Sequence, residues 1–208
     1  MAFVSRTLAL LTIALAIVLV THFSATPSVG PVAAPRLETL ASVSRLPDTW
    51  TDRVVPSLAG LDRRASDAEM REIVRIVERA SARAGVDPLL VLSVIQVESR
   101  FDRTAVSPQG AMGLMQIRPE TAGALAAEIG LEWSSDELLF DPEVNVLLGT
   151  LYLSRLQDRF QDLDAALAAF HAGPTRIESR LARSEGFSLR YADRVWSVLF
   201  RLQAGALA

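Results

Sequence analysis

The chain has no cysteine and no lysine, and its 208 residues include only two histidines. The first absence removes disulfides, thiol nucleophiles and lipid attachment through cysteine. With His22 and His171 as the only imidazoles, a histidine-rich metal site is excluded too. No G-x-S-x-G elbow and no phosphate-binding P-loop occurs. A net charge of −3 gives none of the basic surface that nucleic acid requires, although all 21 cationic side chains are arginine. The missing lysine reads as a coding bias before it reads as function. There is no convincing strand alternation and no internal repeat. Chemistry in this chain has to rest on carboxylates.

What is present is apolar and helical in pattern. Half of the residues are hydrophobic, enough for one sizeable core. Arg6 precedes an apolar run from Leu8 to Val20, shorter than the roughly 20 residues of a bilayer span. Residues 1–23 therefore read as a signal peptide or, if uncleaved, as an anchor in contact with the inner membrane. Ser24-Ala25-Thr26 and Val32-Ala33-Ala34 are each followed by proline, so neither is a good cleavage site. Both readings export the rest of the chain, to the periplasm or cell envelope. Residues 24–65 carry prolines among small and polar residues and read as an extended spacer, with a short docking element around Trp50.

The folded domain is expected over 66–208. Ser66 to Glu69 forms a capping box ahead of Ile73, Val74, Ile76 and Val77, and Gly85 closes that helix. Further helices are predicted over Pro88–Arg100, Pro119–Ile129, Pro142–Phe160, Leu163–His171, Pro174–Arg183 and Leu189–Gln203. The fold class is all-α, with little or no β. Leu147, Leu151 and Tyr152, and Val195, Val198 and Leu199, read as core stripes. Trp133 and Trp196 read first as packing residues and second as linings of sugar subsites.

One acid stands out. On the helix that opens with Asp87 and Pro88, Glu98 lies roughly 160° from Gln96 and Arg100, on the stripe of Val91, Val94 and Ile95. Facing the apolar side without a cation, its charged form is disfavoured, which suits a general acid. The alternative is a solvated glutamate in a fraying last turn. Gly110, Ala111 and Gly113 then supply a stretch with almost no side-chain bulk, where backbone can approach a ligand or take positive φ. Met115 and Gln116 follow, a thioether and an amide of the kind that floors a sugar ring. The alternative is an ordinary turn followed by core residues.

The run from Glu98 to Ala122, ESRFDRTAVSPQGAMGLMQIRPETA, resembles without a gap the signature of the soluble lytic transglycosylase family, whose members cleave peptidoglycan with a goose-lysozyme-like fold. Further blocks resemble the same family in the same order: Asp141 to Leu156 with Asn145 and Gly149, Ala165 to Pro174, and the Tyr191 segment. The resemblance covers about Ser66 to Phe200. It implies a lysozyme-like helical domain with a substrate groove, glycan strands of peptidoglycan as partner, and no metal or cofactor. Ser107, Met115, Gln116 and Tyr191 would line the groove. One block departs from the commonest family form, which has alanine, tyrosine, asparagine, alanine and glycine where this chain has Ala169, Phe170, His171, Ala172 and Gly173. Phe170 lacks the phenol that in relatives lies near the acid; Tyr191 or His171 would have to compensate. By itself, His171 reads first as a packed helix-end histidine, and otherwise as a substrate contact or proton-sharing partner of Glu98.

The resemblance also implies the reaction. Glu98 would protonate the oxygen between N-acetylmuramic acid and N-acetylglucosamine, the 2-acetamido group would stabilise the sugar cation, and Glu98 would then deprotonate the 6-hydroxyl to leave a 1,6-anhydromuramyl end. Two other readings stay open. A hydrolytic muramidase would need a second carboxylate such as Asp102, Asp136 or Asp141 to position water. A peptidoglycan-binding or assembly module would have kept the groove and lost turnover.

Overall fold

The computed structural model describes residues 49–206; the expected signal or anchor segment and the spacer up to residue 48 lie outside the described residues. Eight α-helices make up this body: α1 Thr49–Leu58, α2 Asp67–Ala84, α3 Pro88–Glu98, α4 Pro119–Glu128, α5 Pro142–Phe160, α6 Leu163–Ala172, α7 Pro174–Ala182 and α8 Arg190–Ala206. A 3-10 turn, Asp136–Phe140, precedes α5. Among the described residues no strand forms, only isolated bridges from Met112 to Val106 and to Ile117. The all-α reading holds.

The helix ends follow the local chemistry. Ser66 and Glu69 make the reciprocal capping box at the start of α2, and Gly85 ends that helix with φ 69, a left-handed value glycine adopts without penalty. The Asp87 carboxylate accepts the Leu89 amide at 2.7 Å, with Pro88 in the first turn. Asp141 caps α5 in the same way through Glu143.

Helix α3 is apolar nearly all round and is correspondingly central: Leu90, Val91, Leu92, Val94 and Ile95 are buried. It packs on α8 and α2, while α5 lies against α2, α4 and α6. Val195, Val198 and Leu199 face this core as expected. Trp133 and Trp196 pack rather than line a groove; the Trp196 indole N–H donates to Asp164 at 2.7 Å.

The body begins before Ser66. The segment around Trp50, expected as a docking element in a spacer, is α1, whose Val54 and Leu58 are buried and which packs on α8 and α2. Pro56 sits inside its last turn, where it removes one hydrogen bond and hides the helical pattern. Leu147, Leu151 and Tyr152 are only half-buried; the fully covered stripe of α5 is Val146, Leu148, Gly149, Leu153 and Leu156.

Candidate active site

Glu98 is the last residue of α3. The chain leaves the helix abruptly, because Arg100 and Phe101 are both left-handed, with φ 55 and 62. Such tandem values cost non-glycine residues energy and persist only where packing holds them. Phe101 is buried in the core, and the Arg64 amide donates to Arg100 O at 2.9 Å. Ser99, also buried, donates from its hydroxyl to Leu114 O at 2.8 Å. The acid's backbone is thereby fastened to the glycine-rich loop.

That loop is built around its glycines. Gly110 and Gly113 have φ 78 and 76. At Gly113 a side chain is excluded twice over, since a Cβ would stand 2.2 Å from both Asn145 Nδ2 and Leu139 O. Asn145 is fully buried and explains the close approach: its Oδ1 accepts the Met115 amide at 2.7 Å, and its Nδ2 donates to Met112 O and Leu139 O, each at 2.9 Å. Across the loop, the Ser107 amide donates to Ala111 O at 2.8 Å, and Ser107 Oγ accepts the Ala111 amide at 3.0 Å. The Gln116 side-chain N–H groups are spent on Ala105 O and Gly113 O, which leaves its side-chain carbonyl as the acceptor for a ligand.

An open groove of about 1550 Å³ runs past these elements, lined by Glu98, Ser107, Gln116, Phe170, His171 and Tyr191 among others. Six of the seven expected site residues therefore meet. Met115 is the exception and a correction. It is fully buried, pointing into the notch of Gly149, where a Cβ would meet its sulfur at 2.4 Å. The thioether supports the loop from the core side and does not floor the groove.

Glu98 does not fray into solvent: its side chain is only 14% exposed, and Oε1 lies 3.9 Å from Nδ1 of His171, itself about half exposed. The His171 ring stacks on Tyr191 with centroids 4.6 Å apart and planes 10° from parallel. Tyr191 is 4% exposed, and its hydroxyl has no hydrogen bond of good geometry within the protein. It nevertheless lies beside the Glu98 carboxylate. Burial first, and then that carboxylate, pushes the phenol well above its ordinary pKa, so it stays a proton donor. Phe170 packs against Tyr152, centroids 5.5 Å apart. Tyr152 itself lines the groove, a role its place in a helical stripe did not reveal. The sequence reading also missed arginines of α7 and α8 on the groove wall, whose i,i+4 spacing was the available signal.

Asp102, Asp136 and Asp141 are not among the residues lining the groove. Asp102 accepts from Thr104 at 2.8 Å and pairs with Arg64 at 3.3 Å; the Thr104 hydroxyl, ahead of Arg64, holds its carboxyl below the usual range.

With this geometry in view, comparisons with known proteins are specific. The sequence profile of the family described as Transglycosylase SLT domain matches residues 75–190. Membrane-bound lytic murein transglycosylase C of Edwardsiella ictaluri is 41% identical over 53% of this chain, and that of Sodalis glossinidius 37% over 60%. The match spans only 29% and 34% of those relatives' length. In solved structures, the 70 kDa soluble lytic transglycosylase of Escherichia coli is similar with a TM-score of 0.53 and 27% identity, over 64% of this chain and 23% of that one.

Proposed function

The chain belongs to the Transglycosylase SLT domain family, whose profile covers more than half of it, and from that premise we propose that it is an envelope enzyme cleaving peptidoglycan glycan strands with Glu98 as its single acid and base. The observation that carries this reading is the placement of Glu98: largely covered, at a helix end, facing a groove and flanked by Tyr191 and His171.

The mechanism proposed is the one the family resemblance implies, with those neighbours in the following roles. A substrate strand in the groove sets its glycosidic oxygen against the Glu98 carboxyl, which donates its proton as the bond between N-acetylmuramic acid and N-acetylglucosamine breaks. The sugar's own 2-acetamido oxygen stabilises the oxocarbenium-like centre. Glu98, now a carboxylate, accepts a hydrogen bond from the Tyr191 hydroxyl and then removes the proton of the 6-hydroxyl, closing the 1,6-anhydro ring. Tyr191 thus takes the place of the phenol missing at Phe170, and its high pKa keeps the proton needed for that donation. Ser107 and the Gln116 carbonyl hold the sugar, and His171 holds the Tyr191 ring by stacking.

Hydrolysis would require a second carboxyl about 5 Å away for retention or 6.5–9.5 Å for inversion. Asp102, Asp136 and Asp141 are outside the groove lining, whereas Glu120, paired with Arg118 at 3.3 Å, and Asp193 share it with Glu98, so the intramolecular route is supported by the family signature around Glu98 and tested by the products. The names of the relatives, membrane-bound murein transglycosylases, support an envelope location, with the N-terminal segment as signal or anchor. Mass spectrometry of muropeptides released from purified sacculi by the full chain tests the reading. Anhydro ends from the wild type and none from Glu98→Gln are expected; reducing ends instead would establish hydrolysis, and unchanged release by Glu98→Gln would remove the acid from its role.

A further inference from the structure

The wall of the groove is more basic than the protein that carries it. Arg176 and Arg180 face it from α7, and Arg190 and Arg194 from α8. Each pair is spaced i,i+4, which places two like charges on one helix face and destabilises an isolated helix. Folding gives no reason for that arrangement. Arg180 is occupied, since its Nε donates to Gly186 O at 2.7 Å and its guanidinium lies 3.9 Å from Glu185. Arg176, Arg190 and Arg194 have no carboxylate partner among the described residues, and all three are exposed. Of the acids that share the lining with Glu98, Glu120 is already paired with Arg118 at 3.3 Å, and Asp193 lies on α8 between Arg190 and Arg194, which leaves five arginines against three acids.

Two further observations point the same way. Helix α7 starts at Pro174 behind Gly173 with no side-chain cap, and both residues line the groove, so the positive end of its dipole faces the same space. Arg194 lies 5.6 Å from the Tyr191 ring, which brings the basic wall up to the catalytic acid. In a chain of net charge −3, this concentration of unpaired guanidinium groups matches an anionic ligand by charge and by hydrogen-bond geometry.

We infer that Arg176, Arg190 and Arg194 bind a substrate carboxylate and make the enzyme select acidic over amidated peptidoglycan. The inference rests on the transglycosylase reading and specifies its substrate class. Peptidoglycan offers such a carboxylate from two sources, the stem peptide and the lactyl group exposed when the stem is removed.

The test uses the full chain on four substrates: sacculi with free stem carboxyls, the same sacculi amidated with carbodiimide and ammonia, strands stripped of stems, and stripped strands amidated likewise. The quantity read is the ratio of kcat/KM on acidic to amidated substrate. Wild type should show a ratio of roughly ten, the weight of one charge-assisted hydrogen bond at a partly exposed site. The triple variant Arg176→Gln, Arg190→Gln, Arg194→Gln should bring the ratio to about one, while the triple Arg→Lys variant, which keeps the charge, should fall between. A wild-type ratio near one on both substrate pairs, or a glutamine triple that keeps the wild-type ratio, would overturn the inference. A preference that survives stripping assigns the lactyl carboxylate; one lost on stripping assigns the stem. Sedimentation of the Glu98→Gln protein with acidic and amidated sacculi makes the same comparison without turnover. Preferential binding without any wild-type cleavage would refute the transglycosylase and leave the basic wall standing, whereas anhydro products without preference would do the reverse.

Discussion

Replacing Asn145 with alanine should damage the protein far more than the loss of one polar side chain would indicate. The side chain makes three hydrogen bonds, one from the Met115 amide at 2.7 Å and two to Met112 O and Leu139 O at 2.9 Å, with no exposure to solvent. In Asn145→Ala, Met112 O keeps the Ile117 amide at 3.2 Å as partner, but the Met115 N–H and Leu139 C=O lose theirs. Leaving a buried backbone group unsatisfied costs about 1–3 kcal/mol, so two such groups put the expected loss at about 3–4 kcal/mol. Against a typical total of about 5–15 kcal/mol, that is a large fraction. Urea unfolding followed by circular dichroism would measure it, and hydrogen exchange at the Met115 amide would locate it. Asn145→Asp keeps the shape but sets a carboxylate oxygen against two carbonyl oxygens. Its folded-state pKa is therefore raised, and the variant should recover stability relative to wild type as the pH falls through that raised value. A loss below 1 kcal/mol in Asn145→Ala, with Met115 protection unchanged, would show that Asn145 does not clip the loop to α5.

Gly113→Ala should cost more than the roughly 1–2 kcal/mol of a left-handed residue alone, because its Cβ also meets Leu139 O at 2.2 Å; the same urea titration measures this. Tyr191→Phe should flatten the alkaline limb of the stability profile. The wild-type phenol has a raised native pKa, so its contribution is fully present below the ordinary tyrosine value of about 10 and lost as the pH rises through the native one. With no lysine or cysteine in the chain, the alkaline limb is shared with Tyr152, whose phenol is also raised by burial, so the difference between wild type and Tyr191→Phe in a pH titration of thermal stability gives the Tyr191 part. Ser66→Ala should lower stability by about 1 kcal/mol through loss of the α2 cap. It should also weaken acid sensitivity, because hydrogen bonds from Ser66 hold Glu69 below its ordinary pKa, a contribution present above the ordinary glutamate value and lost as the pH falls through the native one.

Elements with local chemistry were legible in advance. The Ser66 box, the Asp87-Pro88 start and the apolar side of α3 that carries Glu98 depend on neighbours within a turn or two, and each appears where it was expected. Met115 was misplaced because its burial depends on Gly149, distant in sequence, opening a notch for the thioether. Tyr152 occupies the border of a buried stripe, where helical period alone does not separate core from groove. Helix α1 was hidden by Pro56 and by a proline-containing lead-in, and its stability comes from α8 at the opposite end of the sequence. The basic wall needed the fold to bring α7 and α8 to one groove.

Between the acid and the amide that shares its groove, five residues turn the backbone to positive φ: Arg100, Phe101, Gly110, Gly113 and Gln116. Such a path is defined by the order of its turns, so the segment tolerates exchange of exposed letters more readily than a change of length. One residue inserted between Ala105 and Gln109 would force the Ser107–Ala111 pairing, the Gly113 amide on Ala105 O or the Gln116 grip on Ala105 to be remade. The loop acts as a ruler whose graduations are counted from Glu98, and evolution can repaint it but not splice it.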